Sequence, residues 1–128
     1  MTTPPLRVLV VDDEDAIREL MGFVLRDFDC DVETAVNGRE AVEKVTADEG
    51  IDLVFMDIMM PEMNGVEAFR HMRRLRPGLK VVMVSGFGRE VETLKDEALA
   101  NGALRFIPKP FSIADIRDVV TEVRDGRA

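Results

Sequence analysis

Five polar side chains stand where apolar runs end, and their types define a narrow range of chemistry. Asp57 closes the run Leu53-Val54-Phe55-Met56. Asp12 and Asp13 close Leu6-Arg7-Val8-Leu9-Val10-Val11 and open a stretch of four acids that ends at Asp15. Ser85 follows Val81-Val82-Met83-Val84, and Lys109 comes just after Phe106-Ile107-Pro108. Three carboxylates brought together repel one another and take raised pKa values. A hard divalent cation relieves that repulsion, and Mg²⁺ prefers oxygen ligands while keeping several waters. A Mg²⁺ site made by Asp12, Asp13 and Asp57 is therefore expected. Metal, ammonium and hydroxyl are together the parts for handling a phosphoryl group, a chemistry of positioning and charge neutralisation more than of covalent machinery. A carboxylate can itself be the nucleophile and become an aspartyl phosphate. Asp57, the central one, takes that role, with Lys109 neutralising phosphoryl oxygens and the Ser85 hydroxyl hydrogen-bonding one. Taken singly, the same residues have plainer readings. Asp57 suits a helix cap or a solvated turn equally well, and acids such as Asp12 to Asp15 favour a helix N-terminus anyway.

That chemistry requires the five to meet, so the elements that carry them matter. Apolar residues at 53–56 with nothing polar between them predict a strand buried on both faces, as in a parallel sheet. Strands are predicted at 6–11, 30–35, 51–56, 80–84 and 103–107. Helices alternate with them. The first carries Ile17, Leu20, Met21, Val24, Leu25 and Phe28 on one stripe. The second, about 38–48, is capped by Asn37 with Glu40 three residues on, and uses Ala41, Val42 and Val45. The third, about 65–75, follows Asn64 and buries Val66, Phe69 and Met72. The fourth, about 89–100, uses Val91, Leu94 and Ala98. The last follows Ser112, with Asp115 three residues later, and carries Ile113, Ile116, Val119, Val120 and Val123. Residues 1–5 read as a disordered leader, 6–124 as one domain and 125–128 as a frayed tail. Five strands alternating with five helices make one three-layer α/β domain, doubly wound on a parallel sheet. In a parallel sheet the ends that carry Asp12, Asp13, Asp57, Ser85 and Lys109 all lie at one edge, where ligands of open α/β sheets bind.

The set Asp12-Asp13, Asp57-Ile58-Met59-Met60-Pro61-Glu62-Met63-Asn64-Gly65, Ser85-Gly86 and Lys109-Pro110-Phe111 resembles the receiver domain of two-component response regulators, over about residues 6–123. The resemblance implies a (βα)₅ flavodoxin-like sheet with strand order 2-1-3-4-5. It implies that Asp57 accepts a phosphoryl group from a phosphohistidine on a sensor histidine kinase or a histidine phosphotransfer domain. Asp13 and Asp57 would then ligate Mg²⁺ directly, with Asp12 acting mainly through water and the backbone carbonyl of Met59 as a third protein ligand. It further implies a cis Lys109–Pro110 peptide, and a switch in which Ser85 moves toward the phosphate while Phe106 turns inward. Phe106 lacks a hydroxyl, so no buried tyrosine hydrogen bond is available to that switch, and the residue also reads as plain core. The output surface would be helix four, strand five and helix five, for an unidentified downstream protein or a fused effector. Gly86 gives the loop after Ser85 freedom, while Phe87 and Met59 are bulky neighbours of the phosphate site that would restrict water and slow its loss.

Composition narrows the classes further. The 128 residues carry a formal charge of −8, which argues against direct binding to nucleic acid or anionic lipid. A single cysteine, Cys30, excludes a disulfide framework and reads as core filler. The lone histidine, His71, reads as surface. No apolar run reaches the ~18 residues of a membrane span, and a cytoplasmic protein is the default. The domain is expected to be a signalling phosphoacceptor rather than an enzyme. Two alternatives use the same residues. An aspartyl-phosphate hydrolase would need an acid/base carboxylate two residues after Asp57, where Met59 stands. A phosphorylation-independent interaction module would keep the fold and dispense with the site.

Overall fold

The computed structural model describes residues 4–127. The chain runs β1 (Leu6–Val11), α1 (Asp15–Asp27), β2 (Cys30–Ala35), α2 (Gly38–Ala47), β3 (Leu53–Met56), α3 (Gly65–Leu75), β4 (Lys80–Ser85), α4 (Arg89–Ala100), β5 (Arg105–Pro108) and α5 (Ile113–Arg127). The five strands form one sheet in the order β2-β1-β3-β4-β5, every neighbour parallel. This is the expected order, and it places the switch in winding direction between β1 and β3.

Each strand divides its apolar residues between two cores. Leu9, Val11, Val54, Met56, Val81 and Met83 face a cluster completed by α2, α3 and α4. Val8, Val10, Leu53, Phe55, Val82 and Val84 face a second cluster completed by α1 and α5. The two faces explain why the central strands read as unbroken apolar runs. Each fully buried side chain of this size contributes about 1.5–3 kcal/mol.

The helix starts follow local capping chemistry. Asn37 Oδ1 accepts from the Glu40 N–H at 2.8 Å, and Asn64 Oδ1 from the Glu67 N–H at 2.9 Å. Ser112 and Asp115 form a reciprocal pair, at 3.1 and 3.0 Å, that opens α5.

Several boundaries differ from the sequence reading. β3 starts at Leu53 rather than residue 51, although Ile51 is still buried. β5 runs later than expected, because its ladder with β4 pairs Val82 with Arg105 and ends with Ser85 against Pro108. α5 continues to Arg127, past the expected end at 124. Of the leader expected at 1–5, residues 1–3 lie outside the described residues, as does Ala128. Leu20 and Ile113 were expected on inward stripes but are 51% and 63% exposed. Each sits at the rim of its stripe, beyond the reach of the sheet that buries Met21 and Ile116.

Candidate functional site

Asp12 follows directly on β1, Asp57 on β3 and Lys109 on β5, while Ser85 is the last residue of β4. The parallel ladders therefore bring all four to one edge. Asp57 is anchored by its backbone N–H to the Val11 carbonyl at 3.0 Å, which ties the end of β3 to the end of β1. The Lys109 N–H reaches the Ser85 carbonyl at 2.8 Å and ties β5 to β4 in the same way. The Lys109–Pro110 peptide is cis, as the resemblance implies.

The side chains converge. Lys109 Nζ lies 2.7 Å from Asp12 Oδ2 and 3.1 Å from Asp57 Oδ2, although Asp12 and Lys109 are 97 residues apart in sequence. The Ser85 hydroxyl donates to the other oxygen of Asp57, Oδ1, at 2.8 Å. The Met59 N–H also reaches Oδ1, at 3.2 Å. Asp12, Asp57 and Ser85 are the buried polar residues among those described, so Asp57 is not a solvated turn residue, while Asp12 also serves the turn before α1, its Oδ1 accepting from the Glu14 N–H at 2.9 Å. Asn64, not Asp57, caps α3, and the N-cap position of α1 is Glu14, which makes no side-chain cap bond.

Burial is the largest influence on Asp57 and raises its pKa. The Ser85 hydrogen bond and the Lys109 charge pull it back, Asp12 pushes it up, and the net result stays above the ordinary carboxylate value. For Lys109, burial works to lower the pKa, but the hydrogen bonds and charges of Asp12 and Asp57 outweigh it and leave it raised. The ammonium is therefore fully charged at neutral pH, and the Asp57 carboxylate is a poorly solvated base.

Carboxylate oxygens of Asp12, Asp13 and Asp57 all lie within 4.8 Å of one another. An all-oxygen donor set with surplus negative charge fits a hard divalent cation such as Mg²⁺ and not a soft one. Asp13 is exposed, and its side chain forms no hydrogen bond or ion pair among the described residues. An open pocket of about 380 Å³ stands over the cluster, walled by Asp13, Met59, Ser85, Phe87 and Lys109. Phe87 is 77% exposed and Met59 is exposed beside it. Phe106 does not join the site. It is half-buried on the α2–α4 side, paired with Met83 in the ladder, with Lys95 Nζ 5.2 Å from its ring centre.

Three neighbours were given no role at the site from the sequence. Glu14 Oε1 lies 3.7 Å from Lys109 Nζ. Gly65, the last residue of the Asp57 motif, sits so close to the Asp57 carbonyl that a Cβ there would come within 2.2 Å of its oxygen, a contact that the motif by itself does not show. Arg18 donates from Nη1 to the Asp12 carbonyl at 2.7 Å, and the only hint of it is an Asp15–Arg18 pair at helical spacing.

The chain is similar to known proteins in sequence and in fold. Residues 8–121 match the family model described as the response regulator receiver domain. The chain is 40% identical over 126 residues to a protein-glutamate methylesterase/protein-glutamine glutaminase of Nocardioides sp., covering 96% of this chain but 34% of that protein. It thus spans about a third of that relative. It is 36% identical over 118 residues to the chemotaxis protein CheY of Thermotoga maritima, covering 91% of this chain and 96% of the relative. Among solved structures, a response regulator receiver domain protein of Clostridium thermocellum superposes with a TM-score of 0.89 at 25% identity, covering 95% and 96% of the two chains. Sheet order, acidic edge and sequence match agree: this chain belongs to the response regulator receiver domain family, the phosphoacceptor modules of two-component signalling.

Proposed function

We propose that Asp57 is the residue that accepts the phosphoryl group, from a phosphohistidine of a sensor histidine kinase or a histidine phosphotransfer domain. The observation that carries this reading is the division of labour on its two oxygens, Ser85 on Oδ1 and Lys109 on Oδ2. In the transfer an Asp57 oxygen forms the new P–O bond as the P–N bond to imidazole breaks, the bond's electron pair staying on that ring nitrogen while the proton already carried by the other ring nitrogen lets the imidazole leave neutral. Burial favours this step because a poorly solvated carboxylate is a stronger nucleophile, and Lys109 keeps it ionised. Asp12, Asp13 and Asp57, with the Met59 carbonyl, would hold Mg²⁺, which when bound supplies neutralisation of phosphoryl charge. After transfer the Ser85 hydroxyl turns its hydrogen bond to a phosphoryl oxygen, and Lys109 pairs with another. Movement of Ser85 opens space toward β5, and Phe106 follows it inward, releasing its contact with Lys95. That changes the face made by α4, β5 and α5, which we assign to a downstream protein or a fused effector. Phe87 and Met59 overhang the pocket and restrict water, with Gly86 as the joint of the Ser85 loop.

The test is a phosphate-affinity gel after incubation with acetyl phosphate and Mg²⁺. A retarded band that needs both Mg²⁺ and Asp57, and is absent in Asp57→Asn, is expected. A band that persists in Asp57→Asn would move the acceptor elsewhere. No band with acetyl phosphate or with a kinase's phosphohistidine would leave an interaction module.

A further inference from the structure

Four consecutive acids, Asp12 to Asp15, must be held at one edge of the sheet although their charges repel. Lys109 neutralises the Asp12 carboxylate, but it does nothing for the backbone between Asp12 and Asp13. The turn around it is held at three points, the first being Asp12 Oδ1, which accepts from the Glu14 N–H at 2.9 Å. The Asp12 N–H donates to the Ala35 carbonyl of β2 at 3.2 Å. The Asp12 carbonyl accepts from Arg18 Nη1 at 2.7 Å. The second arm of the same guanidinium, Nη2, binds Asp15 Oδ1. Arg18 is one turn into α1, and its side chain is only 14% exposed, so the fork lies against the loop rather than in solvent. The Asp12 carbonyl belongs to the peptide that leads into Asp13. Its direction therefore sets where the Asp13 carboxylate stands, and Asp13 has no side-chain partner of its own among the described residues.

We propose that Arg18 is a positioning residue of the cation site, orienting the Asp12–Asp13 peptide so that both carboxylates converge with Asp57. This rests on the reading of that cluster as the Mg²⁺ site. The sign of the effect separates it from simple electrostatics. A nearby positive charge repels a divalent cation, so deleting Arg18 tightens binding if only its charge matters. Deleting a positioning group weakens it. Arg18→Lys keeps the charge but loses the fork that spans carbonyl and carboxylate, and Arg18→Met loses both.

Isothermal titration of the metal-free proteins with Mg²⁺ decides the matter, with circular dichroism melts of the same samples to establish that each is folded. Arg117→Met serves as a control, since among the described residues Arg117 pairs only with its neighbour Asp118 on the surface. Both Arg18 variants are expected to bind Mg²⁺ about tenfold more weakly than wild type, the low end for losing a partner that orients a ligand, while Arg117→Met matches wild type. Folded Arg18→Lys that binds as tightly as wild type overturns the proposal, as does tighter binding by Arg18→Met. Wild type that takes up no Mg²⁺ overturns the reading of the cluster as well, and is told apart from the first outcome by that measurement alone.

Discussion

Asp57 is a carboxylate kept where its charge is poorly solvated, and this has a consequence for stability. Its pKa is raised in the folded state, so the native protein binds a proton there more readily than the unfolded chain. The stability that the protonated form provides is present at low pH and is lost as pH rises through the folded value. At neutral pH the ionised carboxylate is therefore a cost to the fold. Asp57→Asn keeps an acceptor for the Ser85 hydroxyl and removes the charge. In metal-free buffer its melting temperature should exceed that of wild type by a few degrees at pH 7.5. The gap should close as pH falls toward the ordinary carboxylate range near ~4. Melts across that range check both the sign and the closure. Gly65 makes a steric prediction at the same scale. A methyl group there meets the Asp57 carbonyl at 2.2 Å, and backbone cannot give way as a flexible side chain can. Gly65→Ala should cost about 2–3 kcal/mol in urea unfolding, at the upper part of the usual range for overpacking. Gly78→Ala, with nothing within 4 Å of the added carbon, should be near neutral.

At the scale of elements, strand ends supply the chemistry and helix starts fix the geometry. Asn64 closes the loop from Asp57 and opens α3, so its cap lies close to the site. Asn37 performs the same service for α2, and its side chain accepts from the Glu40 N–H rather than from a residue of the site. Asn37→Ala should lower stability by about 1 kcal/mol, the usual worth of such a cap, and leave the rate of labelling by acetyl phosphate unchanged. Urea unfolding and the affinity gel together test that separation. The exposed Leu20 and Ile113 show the limit of stripe arguments. Stripes of six and five apolar residues leave rim positions outside the packed face even though the spacing is right.

Across the molecule, a net charge of −8 raises the cost of every further carboxylate at the acidic edge. A ligand that binds only the folded chain stabilises it by mass action, by about 2.7 kcal/mol at a hundredfold excess over Kd. Mg²⁺ should therefore raise the melting temperature of the wild type at low ionic strength, and the shift should shrink in Asp13→Asn, which removes one donor. Equal shifts in both would place the stabilising ion somewhere else. Among the described residues no helix is long and apolar enough to cross a membrane.

Much of this was legible in the sequence because parallel sheets leave a clear trace. Strands buried on both faces must be apolar throughout, as Val8 to Val11 and Leu53 to Met56 are. A polar residue at their end then stands out, and Asn or Gly marks the start of α2, α3 and α4. That was enough to determine five βα units, the family resemblance, and which residues share one edge. Strand limits at 51 and 103 were less legible, because Ile51 and Ala103 are buried without joining the ladder. Only the tertiary structure decided how the edge residues divide their contacts. It set Lys109 between Asp12 and Asp57, gave the two oxygens of Asp57 to different partners, and pressed Gly65 against the Asp57 carbonyl. It also gave Arg18 the Asp12 carbonyl. A bond to a backbone carbonyl asks nothing of the partner's side chain, so it leaves no pattern of residue types, and a contact across 97 residues exists only once the sheet has closed the distance.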